Sequence, residues 1–201
     1  MARMRAPQRR RQLLEHAARL FAQRGYRGTT TAELAQAAGI TEPILYRHFA
    51  SKLELFVTLI DEVGGEVIET WRSMLSEIDD PHQRLVRLLS ANPATHDRGR
   101  GIYRVIFQAM TELDGEPAIA EAIRRHVVRL HAFVREELKA LQEQKVVRSD
   151  EPAEALAWLL VDVAIGFGMV APLEMPRHSG RAGQQAMQRL LRELLGEAVM
   201  P

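Results

Sequence analysis

The chain of 201 residues has no cysteine, which excludes disulfide scaffolds, thiolate zinc or iron–sulfur centres, and cysteine nucleophiles. It also lacks any clean two-residue alternation of apolar and polar residues, so no sheet is expected. Gly-rich loops of phosphate-binding pattern are missing, and no Glu-x-x-His occurs, which argues against a carboxylate-bridged di-iron bundle. The seven histidines are scattered. His126 and His131 stand five apart and do not share a helical face as paired metal ligands would. No metal, no cofactor and no catalysis are expected. The N-terminus, residues 1–12, is basic but lacks the apolar stretch and cleavage site of a signal peptide, so a soluble cytoplasmic protein is expected. With 46% apolar and 26% charged residues, the composition is that of an ordinary globular protein.

Net charge is also nearly absent, at +1, but the balance is uneven along the chain. Residues 1–52 carry ten Lys/Arg against Glu15, Glu33 and Glu42, whereas the rest carries seventeen basic and twenty-three acidic residues. A basic head on an acidic body points the first fifty residues toward a polyanion. Arg3, Arg5, Arg9, Arg10 and Arg11 alone would be a solvated tail. Arg19, Arg24, Arg27, Arg47 and Lys52 lie within patterned sequence, which favours nucleic acid.

What is present is helical periodicity throughout. Leu13, Leu14, Ala17, Ala18 and Phe21 mark a first helix over about 8–24, stopped by Gly25. Thr30-x-x-Glu33 is a capping box that opens a short second helix, stopped at Gly39. Thr41 is placed to cap a third, with Pro43 in its first turn. Ser51 and Glu54 form another capping box at the head of a long fourth helix reaching Ile78, interrupted by Gly64-Gly65. Asp79-x-x-His82 reads as a cap, and Gly99-Arg100-Gly101 as a turn. Further helices are expected over about 82–91, the 83–89 run presenting a solvated basic face, and over 101–113, 117–145, 153–171 and 181–197. The fold class is all-α with about nine helices. Two short helices joined through Ala38-Gly39-Ile40 have the spacing of a helix-turn-helix, whose second helix enters the DNA major groove.

The segment from Leu20 to Lys52 carries a specific combination: Phe21…Gly25-Tyr26…Thr29-Thr30, Ala38-Gly39-Ile40-Thr41, Leu45-Tyr46-Arg47-His48-Phe49 and Ser51-Lys52. In these residues the chain resembles the tetracycline-repressor (TetR) family of bacterial transcriptional regulators, over about residues 8–60. The resemblance implies a DNA-binding domain over 1–52 and an effector-binding and dimerisation domain over 53–201. It implies a homodimer on double-stranded, palindromic operator DNA, released when a small-molecule effector binds. By position, Tyr46 and Lys52 match the family's DNA contacts, and Thr31 and Thr41 are the matching hydroxyl donors. Lys52 lies in the first turn of a helix, where free N–H groups already favour an anion. Leu45 and Phe49 face the small core, leaving Glu42, Pro43, Tyr46 and Arg47 to the groove. Glu42 either accepts from a base such as cytosine or stabilises its own helix N-terminus. His48 stands either near the DNA backbone or packed beside Phe49.

The body offers candidate lining for an effector: Trp71, Tyr103, Phe107, Met110, Phe133, Trp158 and Phe167, with Asp162 as a carboxylate inside an apolar run that needs a partner. The run 155–173 approaches membrane-span length but holds Asp162, so it reads as a helix buried on nearly all sides, and no membrane contact is expected. Its small-residue stripe, Ala157, Val161, Ala164 and Gly168, and the apolar residues Met187, Leu190, Leu191, Leu194 and Leu195 are the expected dimer interface. Two other functions remain open: a constitutive or architectural DNA-binding protein without effector, and an all-helical enzyme.

Overall fold

The computed structural model describes residues 6–90, 97–110, 115–175, 178 and 180–196. Among them are nine α-helices and no strand: α1 Ala6–Arg24, α2 Thr31–Ala37, α3 Glu42–Tyr46, α4 Lys52–Ser76, α5 Pro81–Ser90, α6 Asp97–Ala109, α7 Pro117–Glu143, α8 Ala153–Val170 and α9 Arg181–Leu194. A 3-10 turn, Ala171–Leu173, follows α8.

Local chemistry sets most helix ends. Gly25 and Gly39 adopt φ of 74° and 65°, the left-handed conformation that ends α1 and α2 without a Cβ penalty. Both halves of the Thr30–Glu33 capping box form. At α4 the Ser51 hydroxyl accepts from the Glu54 N–H at 3.0 Å, while the Glu54 carboxylate accepts from the N–H of Ala50 at 2.6 Å.

Several expectations are corrected. Thr41 makes no side-chain cap bond at α3; the proline in the first turn already removes one orphan donor. The cap of α5 is Asp80, whose carboxylate accepts from the Gln83 N–H at 2.7 Å, not Asp79. Gly99-Arg100-Gly101 lies within α6 rather than in a turn. Gly64-Gly65 does not interrupt α4, which is continuous. The 83–89 run is not uniformly solvated: Arg84 donates to both oxygens of Glu137 at 2.8 and 3.0 Å and to the Leu75 carbonyl at 2.9 Å. A break is expected from Asn92-Pro93 through Gly101; residues 91–96 lie outside the described residues, and α6 already begins at Asp97.

The chain divides into two compact units, Met1–Gly65 with Gly101–His126, and Glu66–Arg100 with Val127–Pro201. The unit holding the helix-turn-helix therefore extends past residue 52 to include the first half of α4, α6 from Gly101 onward and the start of α7. Its core is aromatic: Phe21 meets Phe56 edge-on at 4.7 Å, and Tyr26 lies 5.0 Å from Phe56. Gly64 is buried against α7, where an added Cβ would run into the imidazole of the buried His126; beside Gly65 there is open space. The second unit has a larger aliphatic core including Leu75, Leu85, Leu138, Leu141 and Leu195, all fully enclosed, with Trp71 and Phe133 packed 5.5 Å apart.

Helix α8 departs most from expectation. Only 28% of its span is buried, and Asp162 is exposed, so water solvates its carboxylate and no interior partner is needed. Ala157, Val161 and Gly168, expected to face a second copy, are buried within the chain. Leu195 is likewise enclosed.

Candidate nucleic-acid interface and ligand cavity

The helix-turn-helix is built as the spacing predicts. Leu34, Ala35 and Ala38 of α2 and Leu45 of α3 turn inward with Phe49. Thr41, Pro43, Tyr46 and Arg47 are exposed, while Thr31, Glu42 and His48 are half-buried. Tyr46 is 47% exposed, and its hydroxyl reaches the Thr31 hydroxyl at 3.4 Å, so two expected DNA contacts on successive helices lie side by side. Glu33 is held below the usual carboxylate range by hydrogen bonds from the Thr30 N–H and hydroxyl, helped by the charge of Arg24. That pairing ties α1 to α2.

Lys52 has a role that sequence reasoning missed. Its ammonium donates to the carbonyls of Tyr26 at 2.9 Å and Thr29 at 3.0 Å, and lies 4.3 Å from the Tyr26 ring centroid. It thus clasps the α1–α2 turn to the start of α4. Thr29 stiffens the same turn by donating its hydroxyl to the Gly25 carbonyl at 2.8 Å. These partners lie more than twenty residues from Lys52 in sequence, so no local pattern announces them.

In the second unit a cavity of about 80 Å³ lies among Trp71, Leu88, Leu130, Leu160, Phe167, Gln188 and their neighbours. Of the eight residues expected to line an effector site, Trp71 and Phe167 border this cavity. Phe133 is buried beside Trp71. Trp158 is exposed and stacks on His131 at 4.1 Å. Asp162 is exposed. Tyr103, Phe107 and Met110 belong to the first unit, where burial pushes the Tyr103 phenol upward and Met110 is exposed. Four residues of the expected dimer interface, Val161, Ala164, Met187 and Leu191, line the cavity instead. Among the described residues, Ser90, Gln184 and Gln188 are its polar lining, and sequence reasoning passed them over.

Comparison with known proteins agrees with this layout. Residues 13–59 match the profile of bacterial regulatory proteins of the tetR family, and residues 81–196 match that of the BetI-type transcriptional repressor C-terminal domain. The chain is 32% identical over 117 residues to the transcriptional activator FasR of Mycolicibacterium smegmatis, covering 58% of this chain and 52% of that protein. It is 31% identical over 143 residues to the nucleoid occlusion factor SlmA of Shewanella pealeana, covering 68% and 69%. A solved structure described as a transcriptional regulator from Saccharomonospora viridis in complex with choline superposes with a TM-score of 0.77 at 25% identity, covering 94% of this chain and 96% of that one. The chain spans about half the length of FasR. With a helix-turn-helix at its head and a BetI-type C-terminal region over more than half its length, the chain belongs to the TetR family of bacterial regulatory proteins.

Proposed function

We propose that the protein is a cytoplasmic, homodimeric repressor that occupies a palindromic operator through α2 and α3 and leaves it when a small molecule enters the cavity of the second unit. The observation that carries this reading is the exposed row Thr41, Pro43, Tyr46 and Arg47 on an enclosed aromatic core. Such a surface presents side chains to a groove while Leu34, Ala35 and Leu45 stay buried. Tyr46, Thr31 and the third N–H of Lys52 serve as phosphate contacts, which position the head. Arg47 and Glu42 serve as base readers, with Pro43 against the groove and His48 beside the backbone.

The dimer surface we propose is the outward face of α8 and α9. Trp158, Met169, Leu190 and Leu194 are large apolar residues left open there, and a second copy rather than lipid covers them. Of the residues expected from sequence, Leu190 and Leu194 keep this role. Leu190→Glu with Leu194→Glu should shift sedimentation to the monomer and weaken DNA binding. A second reading is DNA binding without an effector; the cavity favours the first. The protein is not read as an enzyme.

Fluorescence anisotropy on duplex DNA from the chain's own upstream region tests the proposal. The logarithm of affinity should fall linearly with the logarithm of salt, and Lys52→Met should reduce that slope by about one. An unchanged slope in a folded Lys52→Met protein makes Lys52 a structural clasp only. Absence of binding at low salt removes the proposal altogether.

A further inference from the structure

The outward face of α3 is short of hydrogen-bonding groups. Its sequence is Glu-Pro-Ile-Leu-Tyr, and Leu45 is enclosed in the core at 3% exposure. Successive residues of a helix leave about 100° apart, so Ile44 and Tyr46 emerge on opposite flanks of Leu45, with Pro43 and Arg47 on the face between them. Tyr46 takes the flank beside Thr31 of α2. Ile44, on the other flank, is 37% exposed, and the neighbouring Pro43 is exposed as well.

A lone isoleucine on a protein surface needs no explanation. Ile44 differs by its place: it lies in the first turn of α3, and the N-terminal residues of a groove helix are the ones that contact base edges. The head around it carries ten Lys/Arg against three acidic residues over 1–52, which favours holding that turn against a phosphate-lined groove. An aliphatic side chain seated there offers neither donor nor acceptor. The major-groove base edges present hydrogen-bond donors, acceptors and one apolar group, the thymine 5-methyl. A donor or acceptor covered by Ile44 loses its water without a partner. A methyl covered by Ile44 loses only apolar contact with water, which is favourable.

Taking α3 to be the reading helix, as proposed above, we infer that Ile44 is a specificity-determining residue that packs on a thymine methyl in each half-site, with Pro43 extending the same apolar contact. Preference at that base pair comes from apolar complementarity, while Arg47 and Glu42 read neighbouring pairs by hydrogen bonds. Each half-site therefore carries a thymine, in one orientation, opposite Ile44.

The test starts with the full-length protein selecting its preferred duplex from a randomised pool. That duplex is then made with thymine or with deoxyuridine, which keeps every hydrogen-bonding group and lacks only the methyl. Losing one buried methyl should weaken binding about fourfold, and losing one in each half-site about fifteenfold. The unaltered protein should show that preference in anisotropy titrations, and replacing thymines one at a time should concentrate it at one pair per half-site. Ile44→Ser should bind the two duplexes within about twofold of each other, because nothing apolar is left to cover the methyl. Ile44→Val should keep most of the preference. Isoleucine and serine have similar helix propensity, so both variants should melt as the unaltered protein does; should Ile44→Ser misfold, the two duplexes on the unaltered protein and Ile44→Val still decide. Equal affinity of the unaltered protein for both duplexes overturns the inference alone. So does a full thymine preference in folded Ile44→Ser, or a preference spread evenly over all thymines. A pool that yields no enriched sequence, with no binding at low salt, overturns the reading of α3 as the DNA helix and the inference with it.

Discussion

The two compact units bury their apolar residues to different ends. In the helix-turn-helix unit Phe21, Phe49 and Phe56 are fully enclosed, the aromatic rings of Phe21, Tyr26 and Phe56 interlock, and Lys52 fastens the α1–α2 turn. In the second unit an equally apolar interior leaves a cavity beside Trp71, and α8 and α9 leave large apolar side chains outside. The first unit is complete by itself and offers polar groups outward. The second leaves a cavity and an exposed apolar surface, where the proposal places a small guest and a second copy. A regulator needs both: a reading head of fixed shape and a body whose state another molecule can change.

Core substitutions should break this contrast most strongly. Phe56→Ala should cost about 3–5 kcal/mol in chemical denaturation, because the filled head cannot collapse around the loss. Ala164→Leu adds carbons on the cavity wall and should cost less than about 1 kcal/mol. Equal penalties would mean the cavity is not usable space. Next in size is the Arg84–Glu137 pair. Arg84→Met leaves the buried Glu137 carboxylate without its bidentate partner and should cost about 2–4 kcal/mol, while adding Glu137→Leu should restore most of it.

The glycine pair sharpens the contrast within a single helix. Gly64→Ala meets His126 and should destabilise by about 1–3 kcal/mol. Gly65→Ala faces open space and should stabilise by up to about 1 kcal/mol. The same sign for both in thermal melts would contradict the packing described.

The smallest expected effect concerns pH. Glu33's folded value lies below its usual 4.5, so its contribution is present above that value and is lost as pH falls through the lower folded one. The melting difference between the unaltered protein and Glu33→Gln should therefore shrink between about pH 7 and about pH 3. A constant difference would mean the capping bond does not depend on ionisation.

These regions also differed in how far the sequence revealed them. The head's turns are written locally: Gly25, Thr30 with Glu33, Gly39 and Pro43 act within a few residues, and the helices begin and end beside them. Helix α8 is apolar on almost every side, so periodicity carries no information about which face turns inward. The sequence therefore does not say which way the small stripe turns, and the fold buries its Ala157 and Val161. Asp162, the one charged residue in that run, marks the solvent side rather than an interior site. The Lys52 clasp, the Arg84–Glu137 pair and the seat of His126 beside Gly64 join residues 23 to 62 positions apart. Only the folded chain brings them together.

The division of labour between the units is tested most directly by DNA affinity in two variants, one in each. Tyr46→Phe with Arg47→Ala alters only the exposed face of the head, and Ala164→Leu alters only the cavity wall. In anisotropy titrations at one salt concentration, the head variant should lose about tenfold or more of its operator affinity, equivalent to two polar contacts. The cavity variant should bind as the unaltered protein does. Equal affinity for all three proteins, or a loss confined to the cavity variant, would contradict the assignment of DNA recognition to α2 and α3.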